Sequence, residues 1–341
     1  MLITKALKEG AVIHGEKYDY RVLETLNVDG QGYTYKTIAT DKGNPDAAEM
    51  PMVVREQMMA RCSDRGPDGM TVVYPEDIAP TVERCLESFI VASQECLKIS
   101  KASSGIVDMA ECFHANNTYY YAVEYLAGET FGEYVKRMGG RLSFEQTREA
   151  LSPIFDAVRT MHRHHALHTH IYPDNVRFRI ESASRVPVLC NLYSSRHFSD
   201  TGMQRWILPT MNCETGFAPP EQYREIDHFV PQVDIYALAA MMVFALSGRY
   251  LPDSRTVTEN DIRALIPSET PENVTLALLK ALDSDLSKRT GTVTKFREDL
   301  EAFLSVNYPG HKSGRAAGNG NTDDSPMHTS LWQRIRSFLR L

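Results

Sequence analysis

The sequence predicts an α+β fold in which a small β-rich part precedes a larger, mainly helical part. Residues 18–60 alternate apolar and polar side chains with the period of a β-strand, interrupted by a turn-rich stretch at 41–46. After Gly128 the apolar positions recur mainly at helical spacing, and the stretch 235–246 is apolar throughout, as in a buried helix. With 43% hydrophobic residues, the 341-residue chain has enough apolar material for a sizeable core.

The individual elements follow from the same periodicities. Strands are predicted within 18–60 and at 106–113 and 118–125. Helices are predicted at 76–101, 129–137, 144–165, 232–247, 274–283 and 293–304. We expect 305–329, which is rich in Gly, Ser, Asn and Asp, to be a flexible linker. Residues 330–341 place apolar side chains on one helical face with arginines mostly elsewhere, which predicts a short basic amphipathic helix.

Composition excludes several classes of function. The net charge of -7 and the lack of a basic stripe argue against nucleic-acid binding. No apolar run reaches the roughly 18 residues of a membrane-spanning helix, and the N-terminus lacks the apolar core of a signal peptide. The six cysteines are scattered without a pairing pattern, which is typical of reduced thiols. These observations predict a cytoplasmic protein.

A short segment carries the most informative pattern. His168, Thr169, His170 and, five residues later, Asn175 resemble the catalytic loop of protein kinases, where His-Arg-Asp precedes an Asn at that spacing. His170 stands in the position of the catalytic Asp and Thr169 in that of the Arg. An imidazole can accept a proton at neutral pH, but the loss of the Arg argues against switching by loop phosphorylation.

Three structural motifs support the resemblance. Glu221 ends a segment similar to the Ala-Pro-Glu motif, and Asp234 to Gly248 resembles the buried helix that anchors the larger lobe. Arg289 resembles the residue that pairs with that Glu, so we expect a buried Glu221–Arg289 ion pair. Residues 18–304 are therefore similar to a bacterial Ser/Thr-type protein kinase domain. The resemblance implies a bilobal fold with an N-lobe at about 18–126 and a C-lobe at about 127–304.

The glycine-rich loop departs from the family pattern. Residues 27–32 keep only Gly30 and Gly32, and Asp29 would bring a carboxylate towards the phosphates of a nucleotide. An ordinary turn between two strands explains the same residues, and the sequence leaves both interpretations open.

The charged pair of the N-lobe is also altered. Arg55 stands in the position of the third-strand lysine, and Glu95 is its expected partner. Arginine keeps the charge but has a wider, planar head group. An Arg55–Glu95 pair would brace the N-lobe, whereas a surface-facing Arg55 is the alternative.

The metal ligands of the family are incomplete. Asn191 replaces the Mg²⁺-binding Asp, and Asn175 is retained, so the site offers two amides. The resemblance implies a nucleotide site lined by Gly30, Gly32, Arg55, Glu124, Leu126, Asn175 and Asn191. The sequence leaves ATP binding open and disfavours Mg²⁺ binding. The histidines at 162, 164, 165, 168 and 170 invite a metal interpretation, but capping and core packing are favoured, and we assign no metal site.

The surviving structural motifs and the altered catalytic positions together predict a pseudokinase that binds a protein partner and regulates or scaffolds it. The former substrate groove around 196–217 and the segment 330–341 are the expected contact surfaces, the latter with a partner or an anionic membrane surface. An active, atypical ATP-dependent kinase or nucleotidyl transferase with a non-standard catalytic loop is the alternative.

Overall fold

The computed structural model describes residues 5–59, 61–181, 184–198, 213–224 and 230–307. The strands are β1 Val12–His14, β2 Tyr18–Asp29, β3 Gly32–Asp41, β4 Met50–Gln57, β5 Asp64–Arg65, β6 Val72–Val73, β7 Met109–Ala115, β8 Thr118–Glu124, β9 Ala166–Leu167, β10 Val176–Glu181, β11 Ser184–Leu189 and β12 Arg196–His197. The α-helices are α1 Ala79–Ser100, α2 Phe131–Arg137, α3 Phe144–Arg163, α4 Gln232–Ser247, α5 Glu259–Leu265, α6 Glu272–Ala281 and α7 Val293–Asn307.

The N-lobe is built on one antiparallel sheet of order β1-β2-β3-β4-β8-β7. Three smaller antiparallel pairs join β10 to β11, β9 to β12 and β5 to β6. The hairpins β2–β3 and β7–β8 explain the alternating sequence of this region, because each strand has two differently covered faces. The predicted order, a β-rich part before a mainly helical part, is observed.

Both faces of the N-lobe sheet are buried. On the outer face Val54 packs in a cluster with Leu7, Ile13 and Val72, which come from segments before β2 and after β4. On the inner face Val53 packs against the main core together with α1 and the C-lobe. The sequence analysis did not predict the cover on the outer face, because its pieces are short and lack a clear period.

Helix α1 packs along the inner face of the sheet. Its buried apolar side chains recur at three- and four-residue intervals: Val82, Cys85, Phe89, Ala92, Cys96 and Ile99. This spacing places them on one stripe of the helix. The prediction of a helix over 76–101 is confirmed, with its first three residues in a 3₁₀ turn, Glu76–Ile78.

Helix α4 is the centre of the C-lobe core. Every residue from Val233 to Leu246 is buried, so the helix is covered on all sides. It ends where Gly248 adopts φ +71° and donates its N–H to the carbonyl of Phe244 at 2.7 Å. A Cβ at this position would lie 2.1 Å from the carbonyl oxygen of Gly140, so only glycine fits. The predicted buried helix and its end are both confirmed.

Several details differ from the predictions. Helix α5 and the hairpin β10–β11 were not anticipated within the helical part, and α7 continues to Asn307, beyond the predicted start of the linker at 305. The amphipathic segment 330–341 lies outside the described residues. Within the described ranges, no helix combines the length and the apolar character needed to cross a bilayer.

Candidate functional site

Arg55 is the central cation of the cleft and is fully buried on the inner face of β4. Its guanidinium donates to Oδ1 of Asp29 at 2.7 Å and to Oγ1 of Thr34 at 3.2 Å, and Thr34 lies directly opposite it on β3. The guanidinium carbon also lies 4.2 Å from the ring centre of Tyr193. Burial of the guanidinium would lower the pKa of Arg55, but the charge and the hydrogen bond of Asp29 together raise it above its ordinary value.

Asp29 ties the end of the β2–β3 hairpin to this cation. Besides Arg55, its Oδ1 accepts the N–H groups of Gln31 at 2.8 Å and Gly32 at 3.1 Å. Burial would raise the pKa of Asp29, but Arg55 and these hydrogen bonds lower it below its ordinary value. For this loop the sequence left two interpretations open, a phosphate-binding loop and an ordinary turn. The structure shows a tight turn whose backbone N–H groups donate to the carboxylate of Asp29.

The prediction that Arg55 pairs with Glu95 is wrong. Glu95 lies on α1 with its side chain 41% exposed and forms an ion pair with Lys98 at 2.8 Å. The two guanidinium nitrogens of Arg55 donate to other residues instead, Nη2 to Asp29 and Nη1 to Thr34. The alternative of a surface-facing Arg55 is also wrong, since the side chain is only 1% exposed. Asp29 replaces Glu95 because the tight hairpin turn brings it to the same face of the sheet.

Tyr193 closes this cluster from the C-lobe. It lies in the short 3₁₀ turn Leu192–Ser194 and is 8% exposed. Burial raises the pKa of its phenol, so the ring is neutral. Tyr193 stands in the position of the glycine of the family's Asp-Phe-Gly motif. This replacement is a sequence signal for a bulky side chain beside Arg55.

The two amides that replace the metal ligands bind each other. Nδ2 of Asn191 donates to Oδ1 of Asn175 at 3.0 Å, and Nδ2 of Asn175 donates to the carbonyl of His170 at 2.8 Å. Asn191 adopts a left-handed conformation with φ +71°, which asparagine tolerates better than most residues. Among the residues placed by the structure, no group of three or more His, Cys, Asp or Glu is arranged to hold a metal ion.

His170 is held in a largely buried position. Its ring stacks on Tyr172 with centroids 4.7 Å apart, and its Nδ1 is buried without a hydrogen-bond partner among the described residues. Burial, with a smaller contribution from His168, lowers the pKa of His170 to about 3. The imidazole is therefore neutral at physiological pH, and it is a weak proton acceptor.

Asp234 anchors the start of the catalytic loop. Its carboxylate accepts the N–H groups of His168 at 2.8 Å and Thr169 at 2.7 Å, and it contacts Nε2 of His162 at 2.9 Å. Burial would raise the pKa of Asp234, but the bond with His162 and the other partners lower it. Thr169 adopts φ +60°, and its carbonyl accepts Nε2 of Gln222 at 2.6 Å. The histidines 162 and 168 thus have packing and hydrogen-bonding roles, as the sequence favoured.

His168 completes this arrangement as a neutral ring. Its Nε2 lies 2.8 Å from the carbonyl of Cys190, and its Nδ1 accepts the N–H of His170 at 3.3 Å. This pattern assigns the proton to Nε2. Burial lowers the pKa of His168, in keeping with a neutral imidazole.

The edge of the cleft is closed by an ion pair that sequence reasoning missed. Nε of Arg179, on β10, donates to Oε2 of Glu124 at 3.0 Å, and the same carboxylate accepts the N–H of Asp108 at 2.8 Å. Leu126 is buried two residues further on. Of the residues expected to line a nucleotide site, Glu124 is therefore already engaged with Arg179, which reaches it from the C-lobe.

The expected ion pair of the C-lobe is present. Nη1 and Nη2 of Arg289 donate to the two oxygens of Glu221 at 2.6 and 3.1 Å, and both side chains are at most 10% exposed. Nε of Arg289 also donates to the carbonyl of Asp283 at 2.8 Å. This two-point contact ties the 3₁₀ turn Pro220–Tyr223 to the end of the domain.

Two small cavities lie next to the site. One, of about 10 Å³, lies beside Tyr193 and is lined by α1 residues such as Phe89 and Cys96, with room for about one water molecule. The other lies between His170 and Phe217 and is smaller. Both are far below the roughly 300 Å³ at which sites for small-molecule ligands begin.

Comparison with known proteins identifies the family. The family model described as a protein kinase domain matches residues 83–300, which is more than half of the chain. Among curated relatives, the tyrosine-protein kinase MasK of Myxococcus xanthus is 28% identical over 249 residues, covering 63% of this chain and 35% of MasK. A probable serine/threonine-protein kinase PknB of Lactococcus lactis is 23% identical over 216 residues, covering 61% of this chain and 33% of that protein. The chain thus spans about a third of the length of these two relatives.

Solved structures share the fold. The apo form of PpkA-294 has a TM-score of 0.63 at 23% identity and covers 87% of this chain and all of that one. The kinase domain of Mycobacterium tuberculosis PknI has a TM-score of 0.56 at 16% identity, covering 87% of this chain and 99% of that one. This likeness confirms the predicted α+β, bilobal fold.

Proposed function

The chain belongs to the protein kinase domain family, and from that premise we propose that it is a pseudokinase, a kinase-fold module that regulates or scaffolds a protein partner. The observation that carries this proposal is the Asn175–Asn191 hydrogen bond at 3.0 Å, which occupies the position of the two metal ligands.

Phosphoryl transfer depends on Mg²⁺ that neutralises the charge of the phosphates. Mg²⁺ prefers carboxylate oxygens, and here two neutral amides occupy the positions of its ligands. The Oδ1 of Asn175 already accepts a hydrogen bond from Asn191, so metal binding would have to break that bond without a compensating charge. This favours a cleft without productive Mg-ATP.

The base position is equally unsuited to transfer. A general base works best with a pKa near the working pH, and burial lowers the pKa of His170 to about 3. Its carbonyl and its N–H are used within the loop, by Asn175 and His168. His170 therefore supports the loop more than it supports proton transfer.

The preserved features are those that maintain the folded surface of the C-lobe. The Glu221–Arg289 pair, the buried helix α4 and the anchoring of the loop by Asp234 are all intact. A kinase fold that is retained while its catalytic residues are replaced supports a role in binding another protein. Of the expected contact surface at 196–217, residues 199–212 lie outside the described residues, as does the segment 330–341, and a partner contact at these surfaces remains part of the proposal.

The experiment is a thermal-shift titration of the full chain with ATP, with and without Mg²⁺, together with a radiolabel assay of transfer to itself and to a generic protein substrate. A pseudokinase of this kind gives no Mg²⁺-dependent rise in melting temperature and no label transfer. A ligand at about 100 times its dissociation constant adds roughly 2.7 kcal/mol to the folded state, so binding would be visible. A Mg²⁺-dependent shift with transfer would contradict the proposal and favour the atypical transferase.

A further inference from the structure

The turn between β2 and β3 concentrates hydrogen-bond donors on one oxygen. Oδ1 of Asp29 receives Nη2 of Arg55 at 2.7 Å and the N–H groups of Gln31 at 2.8 Å and Gly32 at 3.1 Å. Successive backbone N–H groups in a turn form a concave anion site, and a guanidinium adds a full positive charge. The donors are therefore arranged as a site for an anionic oxygen.

We propose that this site is a latent polyphosphate-binding site that the chain fills with its own carboxylate, Asp29. The ligand class is a polyphosphate, either free or as the phosphate chain of a nucleotide. Asp29 acts as an internal competitor. While its oxygen accepts all three hydrogen bonds, an incoming phosphate is repelled by the negative charge and finds none of these N–H groups free to donate to it.

The cation remains in place without Asp29. Thr34 holds Nη1 of Arg55 at 3.2 Å, and the ring of Tyr193 covers the guanidinium at 4.2 Å. These contacts do not involve the carboxylate. Shortening the side chain at 29 therefore leaves a buried positive charge that is oriented and lacks a counter-ion, a state that favours binding of an external anion.

The position of Asp29 also decides access. Its side chain is 21% exposed, with Oδ2 buried, whereas that of Arg55 is 1% exposed, so Asp29 is the more solvent-accessible member of the ion pair. On the outside of the turn, Nε of the exposed Arg61 lies 3.7 Å from where a Cβ on Gly30 would be. Arg61 forms no ion pair with the residues that the structure describes, and it is available as a second cation at the rim.

This inference concerns the same cleft as the proposed function and rests on it, since it names what keeps phosphates out. The two can fail separately. Mg²⁺-dependent nucleotide binding by the wild-type chain would contradict the pseudokinase proposal. A failure of the Asp29 variant to bind polyphosphate would contradict only the present inference.

The test uses the full chain carrying Asp29→Ala, titrated in a thermal-shift assay with sodium tripolyphosphate and, separately, with ATP without Mg²⁺. Sodium chloride at matched ionic strength controls for general salt effects. We expect no shift for wild type and a saturable rise in melting temperature for D29A, with an affinity for tripolyphosphate at least tenfold above that of wild type. Adding Arg55→Met to D29A should abolish the rise.

Asp68→Ala is the matched control, because Asp68 also accepts two turn N–H groups, those of Met70 and Thr71, both at 2.9 Å, but has no arginine partner in the described part of the chain. It should gain no tripolyphosphate binding. A folded D29A without a saturable response overturns the proposal, as does a response that survives R55M. A rise in the melting temperature of D29A with ATP but not with tripolyphosphate also overturns it, because the adenosine and not the phosphate chain would then account for the affinity.

If D29A is unfolded in buffer, tripolyphosphate should restore its folded circular dichroism spectrum, and failure to do so counts against the proposal. Asp29→Asn gives a second measure. Its amide oxygen can still accept the two backbone N–H groups but carries no charge. We therefore expect an affinity for tripolyphosphate between those of wild type and D29A, and the reverse order contradicts the inference.

Discussion

Glu56 and Arg65 form a buried ion pair on the face of the N-lobe sheet opposite to Arg55. Nη1 of Arg65 donates to Oε1 of Glu56 at 2.7 Å, and the hydroxyls of Tyr35 and Tyr120 donate to the same carboxylate at 2.8 and 2.6 Å. The Glu56 side chain is fully buried. Two neighbouring residues of β4 thus carry buried ion pairs on opposite faces, which fixes the strand that presents Arg55 to the cleft.

Arg65→Met should strongly destabilise the N-lobe, because it leaves the Glu56 carboxylate buried without its counter-charge. Breaking one side of a buried pair typically lowers the free energy of unfolding by about 3–5 kcal/mol. Urea unfolding followed by circular dichroism measures it. Arg263→Met is the control, since its partners Glu259 and Glu272 are 65% and 69% exposed and surface ion pairs contribute little to stability. Equal losses in both variants would contradict the assignment.

The end of α4 gives a prediction about backbone strain. Gly248→Ala would place a Cβ 2.1 Å from the carbonyl oxygen of Gly140, at φ +71°. Gly139 has φ +103° but open space around it, so Gly139→Ala tests the cost of the conformation alone. We expect G139A to lose about 1 kcal/mol in the free energy of unfolding and G248A to lose more, because a carbonyl must also move. Similar losses would show that the close approach to Gly140 is relaxed in solution.

Most of the fold could be predicted because the spacing of apolar residues that defines each helix or strand is visible within a short stretch of sequence. The spacing of buried side chains in α1 and the unbroken apolar run of α4 depend on neighbours along the chain, so a single sequence displays them. The pair of Glu221 with Arg289 could be anticipated because both residues belong to recognisable motifs. The cover on the outer face of the sheet could not, since its short segments are stabilised by packing on residues that are distant in the sequence.

The contacts made by the residues of the candidate site could be predicted only in part. The sequence placed Arg55, Asn175 and Asn191 in the cleft, and the structure brings Arg55 to Asp29 rather than Glu95. That choice depends on a two-residue hairpin turn, whose geometry a degenerate glycine loop does not reveal. Arg179, which closes the cleft edge against Glu124, carried no motif and could be found only from the fold.

His170→Asp alone should not restore phosphoryl transfer. The substitution supplies a carboxylate at the base position, but the amide pair Asn175–Asn191 and the ion pair Arg55–Asp29 remain. The metal and the phosphates would therefore still lack their sites. A radiolabel assay with ATP and Mg²⁺ measures this, with the wild-type chain as the matched background. Transfer above that background by the single variant would show that the base position alone limits activity.

His170 also predicts how stability depends on pH. The folded-state pKa of about 3 lies below the ordinary value of 6.5, so the unfolded chain binds a proton between these values that the folded chain does not. Stability is therefore unaffected by this group above pH 6.5 and falls as the pH drops below it. Between pH 7 and pH 5 the loss from His170 is about 2 kcal/mol. His168, whose pKa is lowered by burial, adds a loss of the same sign.

His170→Phe isolates this contribution, because a phenyl ring can keep the stack on Tyr172 but cannot take up a proton. Urea unfolding at pH 7 and pH 5 should show a loss on acidification that is smaller in H170F than in wild type by about 2 kcal/mol. Asp29, His168 and the other groups around the ring titrate in both proteins, so their effects cancel in the difference. An equal loss in wild type and H170F would mean that His170 titrates normally in the folded chain and is open to solvent.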